Sequence, residues 1–267
     1  ADDSSRPERA KPFPKRVIVF SPHPDDDVIS MGGTLKRLVD QHHDVHVAYE
    51  TSGNIAVGDE DMMRYFLMMD KIAPEFGFDT DGYKRLSSEV RGFVDHKKAG
   101  DIDTADIREI KTMIRQAEAT IACHYIGVKN DHIHFLRLPF YETGTIKKGD
   151  LSQRDVDIVK KLLTSVKPHQ IFVAGDLADP HGTHKICTDA VLAAIDELKD
   201  AEWMKDCRIW MYRGAWAEWE IDHIEMAVPI SPEELRFKRN SILKHQSQME
   251  NAPFLGDDDR LFWQRAE

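Results

Sequence analysis

Short apolar runs alternate with longer amphipathic stretches along most of this chain. Residues 17–20 (VIVF) are continuously apolar, the pattern of a strand buried on both faces of a parallel sheet, and the run stops at Ser21-Pro22. A helix is predicted over 28–41, and 45–49 (VHVAY) alternates as a second strand, which completes a βαβ unit. Ile107, Ile110, Ile114, Ala117 and Ile121 recur at helical spacing before a strand over 133–138. Val156, Val159, Leu163 and Val166 mark another amphipathic helix with Ser152 as its N-cap, followed by a strand at 171–174. Val191, Ala194, Ile195 and Leu198 predict the next helix, and strands follow at 208–212 and 224–228. Ser231-Pro232-Glu233-Glu234 reads as a capping box with Pro at N1, opening a last helix towards Lys244.

This alternation predicts an α/β, Rossmann-like, doubly wound and mostly parallel sheet with helices on both faces, in a single domain. Such sheets bind ligands at the carboxyl ends of their strands. Residues 1–16 hold three prolines and many charges without an apolar period, so they are expected to be a flexible tail or linker, with the folded domain over 17–267. Residues 74–103 mix Gly, Asp and Lys with little periodicity and are expected to form an insertion or lid.

Composition narrows the function classes. The 267 residues carry 47 acidic and 36 basic side chains, a net charge of −11, which argues against nucleic-acid binding. No apolar run approaches the length of a membrane span. Cys123, Cys187 and Cys207 are far apart and form no C-x-x-C pair, which fits buried thiols in a reducing compartment and a cytoplasmic address. The chain begins at Ala1 without an initiator Met, as expected of a processed or truncated product. Thirteen histidines are the unusual feature, because they supply nitrogen ligands where sulfur is scarce.

The first chemical constellation follows the first strand: Pro22-His23-Pro24-Asp25-Asp26-Asp27, then Ser30-Met31-Gly32-Gly33. The two prolines stiffen the backbone around His23. Adjacent Asp25 and Asp26 must project differently, so one carboxylate can hold a metal while its neighbour faces a water, the division of labour of metal-assisted hydrolysis. Asp27 is the candidate for capping the following helix, and Gly32-Gly33 would let that helix lie close to the sheet. Three acids crowding a strand end call for a cation, with Mg²⁺ as the rival to zinc.

A second constellation, Asp179-Pro180-His181-Gly182-Thr183-His184, follows the 171–174 strand and opens a helix, with Asp179 suited to the N-cap and Pro180 to N1. His181 and His184 would then share one helical face. A helix N-terminus disfavours imidazolium and keeps a histidine able to ligate. Two such histidines with a His-Asp pair from another strand end make a nitrogen and oxygen set with an open position, which favours catalytic Zn²⁺ over Mg²⁺.

At these residues the chain resembles the LmbE-like, PIG-L type family of zinc-dependent de-N-acetylases. The resemblance rests on Pro22-His23-Pro24-Asp25-Asp26, Gly32 to Leu35, His181-x-x-His184, Arg115-Gln116-Ala117-Glu118, FLRLPFYETG (135–144) and His245-Gln246-Ser247-Gln248. SPHPDDDVISMGG and YETSGNIAV are most similar to the deacetylase-like domain appended to some bacterial glucosamine-6-phosphate deaminases. The resemblance implies that His23, Asp26 and His184 ligate zinc, that Asp25 is the general base, and that His181 stabilises or protonates the tetrahedral intermediate. It implies acetate and a free amino sugar as products. Two positions depart from the family pattern: Thr183 stands where an Asp usually partners the first histidine, and Lys185 where an Arg is usual. Asp179 or a carboxylate from elsewhere would then orient His181.

Several positions carry weaker signals. Arg115 and Glu118 form either a substrate-facing pair or a helix-surface ion pair. Ser30 could reach a sugar hydroxyl, and Phe140 and Tyr141 could stack on a sugar ring or anchor their loop. His245 is a candidate to support the site from behind. Trp210 is expected in the core, while Trp216 and Trp219 are open between core and pocket wall. His42, His43 and His46 cluster at the opposite end of the strands from the site. The leading expectation is a zinc amidohydrolase acting on a small-molecule N-acetylated amino sugar, its phosphate or conjugate, with a possible fused or neighbouring deaminase domain and an open oligomeric state. The alternatives are a non-catalytic or regulatory amino-sugar-binding module associated with a glucosamine-6-phosphate deaminase and, more distantly, a Mg²⁺-dependent phosphohydrolase.

Overall fold

A computed structural model describes residues 13–145, 147–177, 181–213, 219–249 and 260–265. Strand β1 (Arg16–Ser21) leads through α1 (Asp26–Asp40) to β2 (Asp44–Tyr49). Three helices follow, α2 (Asp59–Glu75), α3 (Asp81–His96) and α4 (Ala105–Ile126), before the short β3 (Ile133–Phe135). The second half runs α5 (Gln153–Val166), β4 (Gln170–Ala174), α6 (Thr183–Leu198), β5 (Arg208–Tyr212), α7 (Pro232–Ile242) and the single-turn α8 (Phe262–Arg265).

All pairings among the described strands are parallel, in the order β3-β2-β1-β4-β5. Because β1 is central, its alternate residues bury towards both faces. Val17 and Val19 pack with α1, α4 and α7 through Val28, Leu35, Ala119 and Ile242. Ile18 and Phe20 pack with α5 and α6 through Leu163 and Val191 on the other face. The chain winds one way from β1 through β2 to β3 and the other way through β4 to β5. A crevice is left at the carboxyl ends of β1 and β4, the topological switch point.

The structure departs from the sequence expectations at specific places. Residues 74–103 are largely helical: α2 and α3 enclose a small core of Met62, Phe66 and Val90 against Ile107 and Ile114 of α4. α3 turns Leu86, Val90, Phe93 and Val94 towards that core, and polar bonds add to its tie to α2, with Tyr83 and Ser87 donating to Asp70 at 2.6 and 3.0 Å and Arg91 paired with the same carboxylate. Residues 224–228 form no strand; Ile224 and Met226 are exposed there. Gly32 and Gly33 admit not the sheet but α7 and the segment before it: a Cβ at Gly32 would lie 3.1 Å from the Lys238 backbone, and one at Gly33 3.0 Å from Ile230. The capping boxes at Ser152 and Ser231 are both formed.

Candidate metal centre

β1 delivers the chain into the crevice at Ser21, and the Pro22-His23-Pro24 turn sets His23 at its mouth. Asp25 is the N-cap residue of α1 and Asp26 its first helical residue, where a carboxylate is favoured by the helix dipole. The His23 backbone N–H donates to Asp26 Oδ2 at 2.9 Å, and the same oxygen lies 3.3 Å from His23 Nδ1. From the end of β4, α6 brings His184 so that its Nε2 is 3.2 Å from that oxygen. One carboxylate oxygen thus stands between two imidazoles, and ligand atoms of His23, Asp26 and His184 lie within 4.8 Å of one another. His184 is fully buried, whereas the His23 side chain is 21% exposed, so the group opens on the His23 side.

Asp25 is not one of the trio and pairs with Arg115 Nη2 at 3.1 Å. Arg115 of α4 is neither substrate-facing at the surface nor part of a surface pair: it is 1% exposed, and its Nε and Nη1 have no hydrogen-bond partner among the described residues. Glu118, three residues on, instead accepts from the backbone N–H and hydroxyl of Ser247, both at 2.7 Å. His245 is fully buried with both ring nitrogens unbonded among the described residues, and burial pushes it down to about 4, so it stays neutral at physiological pH.

The electrostatics call for a cation. Asp25, Asp26, Asp27, Glu50 and Asp176 are all buried. Burial would raise Asp26, but the fields of His184 and His23 and their hydrogen bonds hold it well below the carboxylate range. Burial drives Asp27 up to about 7, and Glu50, at the end of β2, up to about 8. Against this acidity stands the buried guanidinium of Arg115 beside Asp25. Two imidazoles, one carboxylate and an open side fit zinc, and the ring nitrogen of His184 away from Asp26 is held by Asp176, whose Oδ1 is 2.8 Å from Nδ1.

Not every expected residue sits where the sequence suggested. α6 begins at Thr183 with Gly182, at φ 67°, as its N-cap, so His181 precedes the helix, is exposed, and does not share a helical face with His184. Asp179 and Pro180, and likewise Trp216, lie outside the described residues. Asp27 is not a solvent-facing cap: it is fully buried and accepts from Tyr49 Oη at 3.0 Å. Tyr141 is buried, with its ring edge towards His23 at 6.0 Å between centroids and the Lys148 ammonium 3.8 Å over its face. Phe140 is buried beside it. Ser30 lines a cavity of about 600 Å³ with Trp210, Tyr212 and Trp219, not the metal group. Asp176 and Glu50 were missed. Their one signal in the sequence is position, immediately or almost immediately after a strand that ends at the crevice.

The family described as PIG-L, GlcNAc-PI de-N-acetylase, matches residues 18–195, which spans β1 to α6 and every residue of the trio. The chain belongs to the PIG-L family. A glucosamine-6-phosphate deaminase-like protein of Bacteroides thetaiotaomicron is 66% identical over 270 residues, covering 100% of this chain and 41% of its own length. A diacetylchitobiose deacetylase of Thermococcus kodakarensis is 30% identical over 111 residues, 38% of this chain and 37% of that protein. The chain therefore spans less than half the length of the curated relatives it matches. In structure it is similar to the N,N'-diacetylchitobiose deacetylase of Pyrococcus horikoshii, with a TM-score of 0.55 at 17% identity over 98% of this chain and 76% of that one. That likeness shows the shared fold.

Proposed function

We propose that this PIG-L chain is a zinc-dependent hydrolase that removes an N-acetyl group from an amino sugar, its phosphate or a conjugate. The observation that carries the reading is the placement of one Asp26 oxygen between His23 and His184 while neighbouring Asp25 is paired with Arg115 instead. The names of the relatives, deacetylases of N-acetylated sugars among them, support the substrate class.

His23, Asp26 and His184 would hold the ion. Zinc, when bound, supplies a Lewis acid for the amide carbonyl and lowers the pKa of water to about 7. Asp25 takes the proton of the attacking water as the new C–O bond forms, with Arg115 fixing the carboxylate's direction. As the C–N bond breaks, that proton passes to the departing nitrogen, so acetate and a free amine result. His181, exposed at the start of α6, is assigned to the charge developing in the tetrahedral intermediate or to protonation of the amine.

A second reading, a ligand-binding module serving a deaminase, is favoured by the deaminase-like name of the Bacteroides relative and by Thr183 between the two histidines. Amine release from a panel of N-acetylhexosamines, their phosphates and chitobiose-type conjugates separates the two. Hydrolysis by the native chain that is lost in Asp25→Asn with zinc retained supports the enzyme. Tight sugar binding with no amine released supports the module.

A further inference from the structure

Of the histidines set aside at the far ends of the strands, His46 belongs to a compact group with Asp44 and His132. Asp44 is the first residue of β2, His46 lies two positions on, and His132 closes the turn that feeds β3, so all three sit at the amino ends of the strands, opposite the crevice. One ligand atom from each lies within 4.8 Å of the other two. Asp44 carboxylate oxygens are 3.4 Å from His132 Nδ1 and 3.8 Å from His46 Nε2.

The surroundings prepare these atoms for a cation. His46 Nδ1 is 3.0 Å from Nε2 of His134, so a proton on His46 Nδ1 donated to His134 leaves a lone pair on Nε2, the nitrogen that faces Asp44. A ligating histidine commonly has its other ring nitrogen held in this way. The rings of His132 and His134 both stack on His46, at 4.0 and 5.2 Å between centroids. His132 Nδ1 also faces the Val45 carbonyl at 3.2 Å, and a metal would compete for that nitrogen. Access exists: Asp44 and His132 line an open cavity of about 300 Å³ together with His42, His43 and Lys129.

We propose that Asp44, His46 and His132 form a second site for a divalent transition-metal ion of the zinc class, independent of the crevice, that ties the short edge strand β3 to β2. The donor set, two imidazoles and a carboxylate with room for water, is of the kind that selects zinc-like ions over Mg²⁺ or Ca²⁺. The device suits its place, because β3 has three residues and pairs with β2 alone among the described strands.

The test is zinc content after equilibrium dialysis of the tag-free chain, compared with Asp44→Asn/His132→Gln. The expected result is a loss of one equivalent in the double variant, whatever the crevice holds, with amine-releasing activity unchanged within about twofold. An unchanged zinc content overturns the proposal. Amide exchange of native residues 133–135 with and without Zn²⁺ provides a second readout. A slowing of about tenfold on zinc addition, absent in the double variant, is expected, and exchange indifferent to zinc overturns the proposal. Failure of the crevice site would appear differently, as a native chain whose remaining single equivalent disappears in the Asp44/His132 variant.

Discussion

Asp176 Oδ1 lies 2.8 Å from Nδ1 of His184, while Nε2 of the same ring faces Asp26 at 3.2 Å. The residue after Gly175 therefore fixes which nitrogen of His184 is presented to a metal. Asp176→Asn retains the volume but gives up the charge, and Asp176→Ala gives up both. Zinc affinity, measured by competition with a chromophoric chelator, is expected to fall about tenfold in the first and nearer 100-fold in the second. Unchanged affinity in both would remove Asp176 from the account.

Arg115 is a buried cation between buried acids. Replacing it by Met leaves Asp25 without its partner in a site from which water is largely excluded, and such a loss costs about 3 kcal/mol. The denaturation midpoint in urea should fall accordingly, and amine release should fall with it. Arg115→Lys keeps the charge but not the planar donor set, so it should recover more stability than activity.

Gly53 sits at φ 62°, and a Cβ there would meet Pro24 Cδ at 2.8 Å and Arg115 Nε at 3.1 Å. Gly53→Ala is expected to destabilise by about 1–3 kcal/mol through the left-handed backbone alone. It should also depress turnover, because relief of the clash displaces the turn carrying His23 and Asp25. Thermal unfolding together with the amine-release assay checks both halves.

The tie between α1 and α7 predicts a pH dependence. Arg37 grips Glu234 with two hydrogen bonds of 2.7 Å, and these, opposed by desolvation, lower Glu234 from 4.5 to about 2. A carboxyl whose folded pKa is depressed contributes fully above 4.5 and loses its contribution as pH falls towards 2. Near the surface the pair is worth about 0.5–1 kcal/mol. Glu234→Gln keeps an acceptor for the capping box but not the charge. Its stability deficit relative to the native chain, read from urea midpoints, should be clear at pH 7 and shrink between pH 4.5 and pH 3.

Much of the crevice was legible in local sequence. His23 and Asp26 are three residues apart behind a buried apolar strand, and His184 follows another, so the doubly wound pattern already placed them together. The PIG-L resemblance and the parallel fold are both borne out. What stayed hidden is what depends on alignment between strands. Glu50 and Asp176 acquire meaning only because the ends of β2 and β4 flank β1. Arg115 and Glu118 had the spacing of a surface ion pair, and only the burial of that face of α4 separates their partners. The α3 helix escaped because its apolar stripe of Leu86, Val90, Phe93 and Val94 is short and set among Gly, Asp and Lys residues, and polar bonds to Asp70 supply part of its tie to α2. At α6, the φ of Gly182 starts the helix two residues after His181, a backbone choice that residue spacing does not reveal.

The most direct test of the central claim is reconstitution of turnover. The chain is stripped of metal with a chelator, shown to be amine-release silent on an N-acetylated amino sugar that the native chain hydrolyses, and titrated with Zn²⁺. The account predicts that activity returns in proportion to zinc bound by the native chain, does not return in His23→Gln or His184→Gln, and fails in Asp25→Asn despite bound zinc. Full hydrolysis by the stripped chain, or zinc-restored hydrolysis that survives loss of His184, would contradict it.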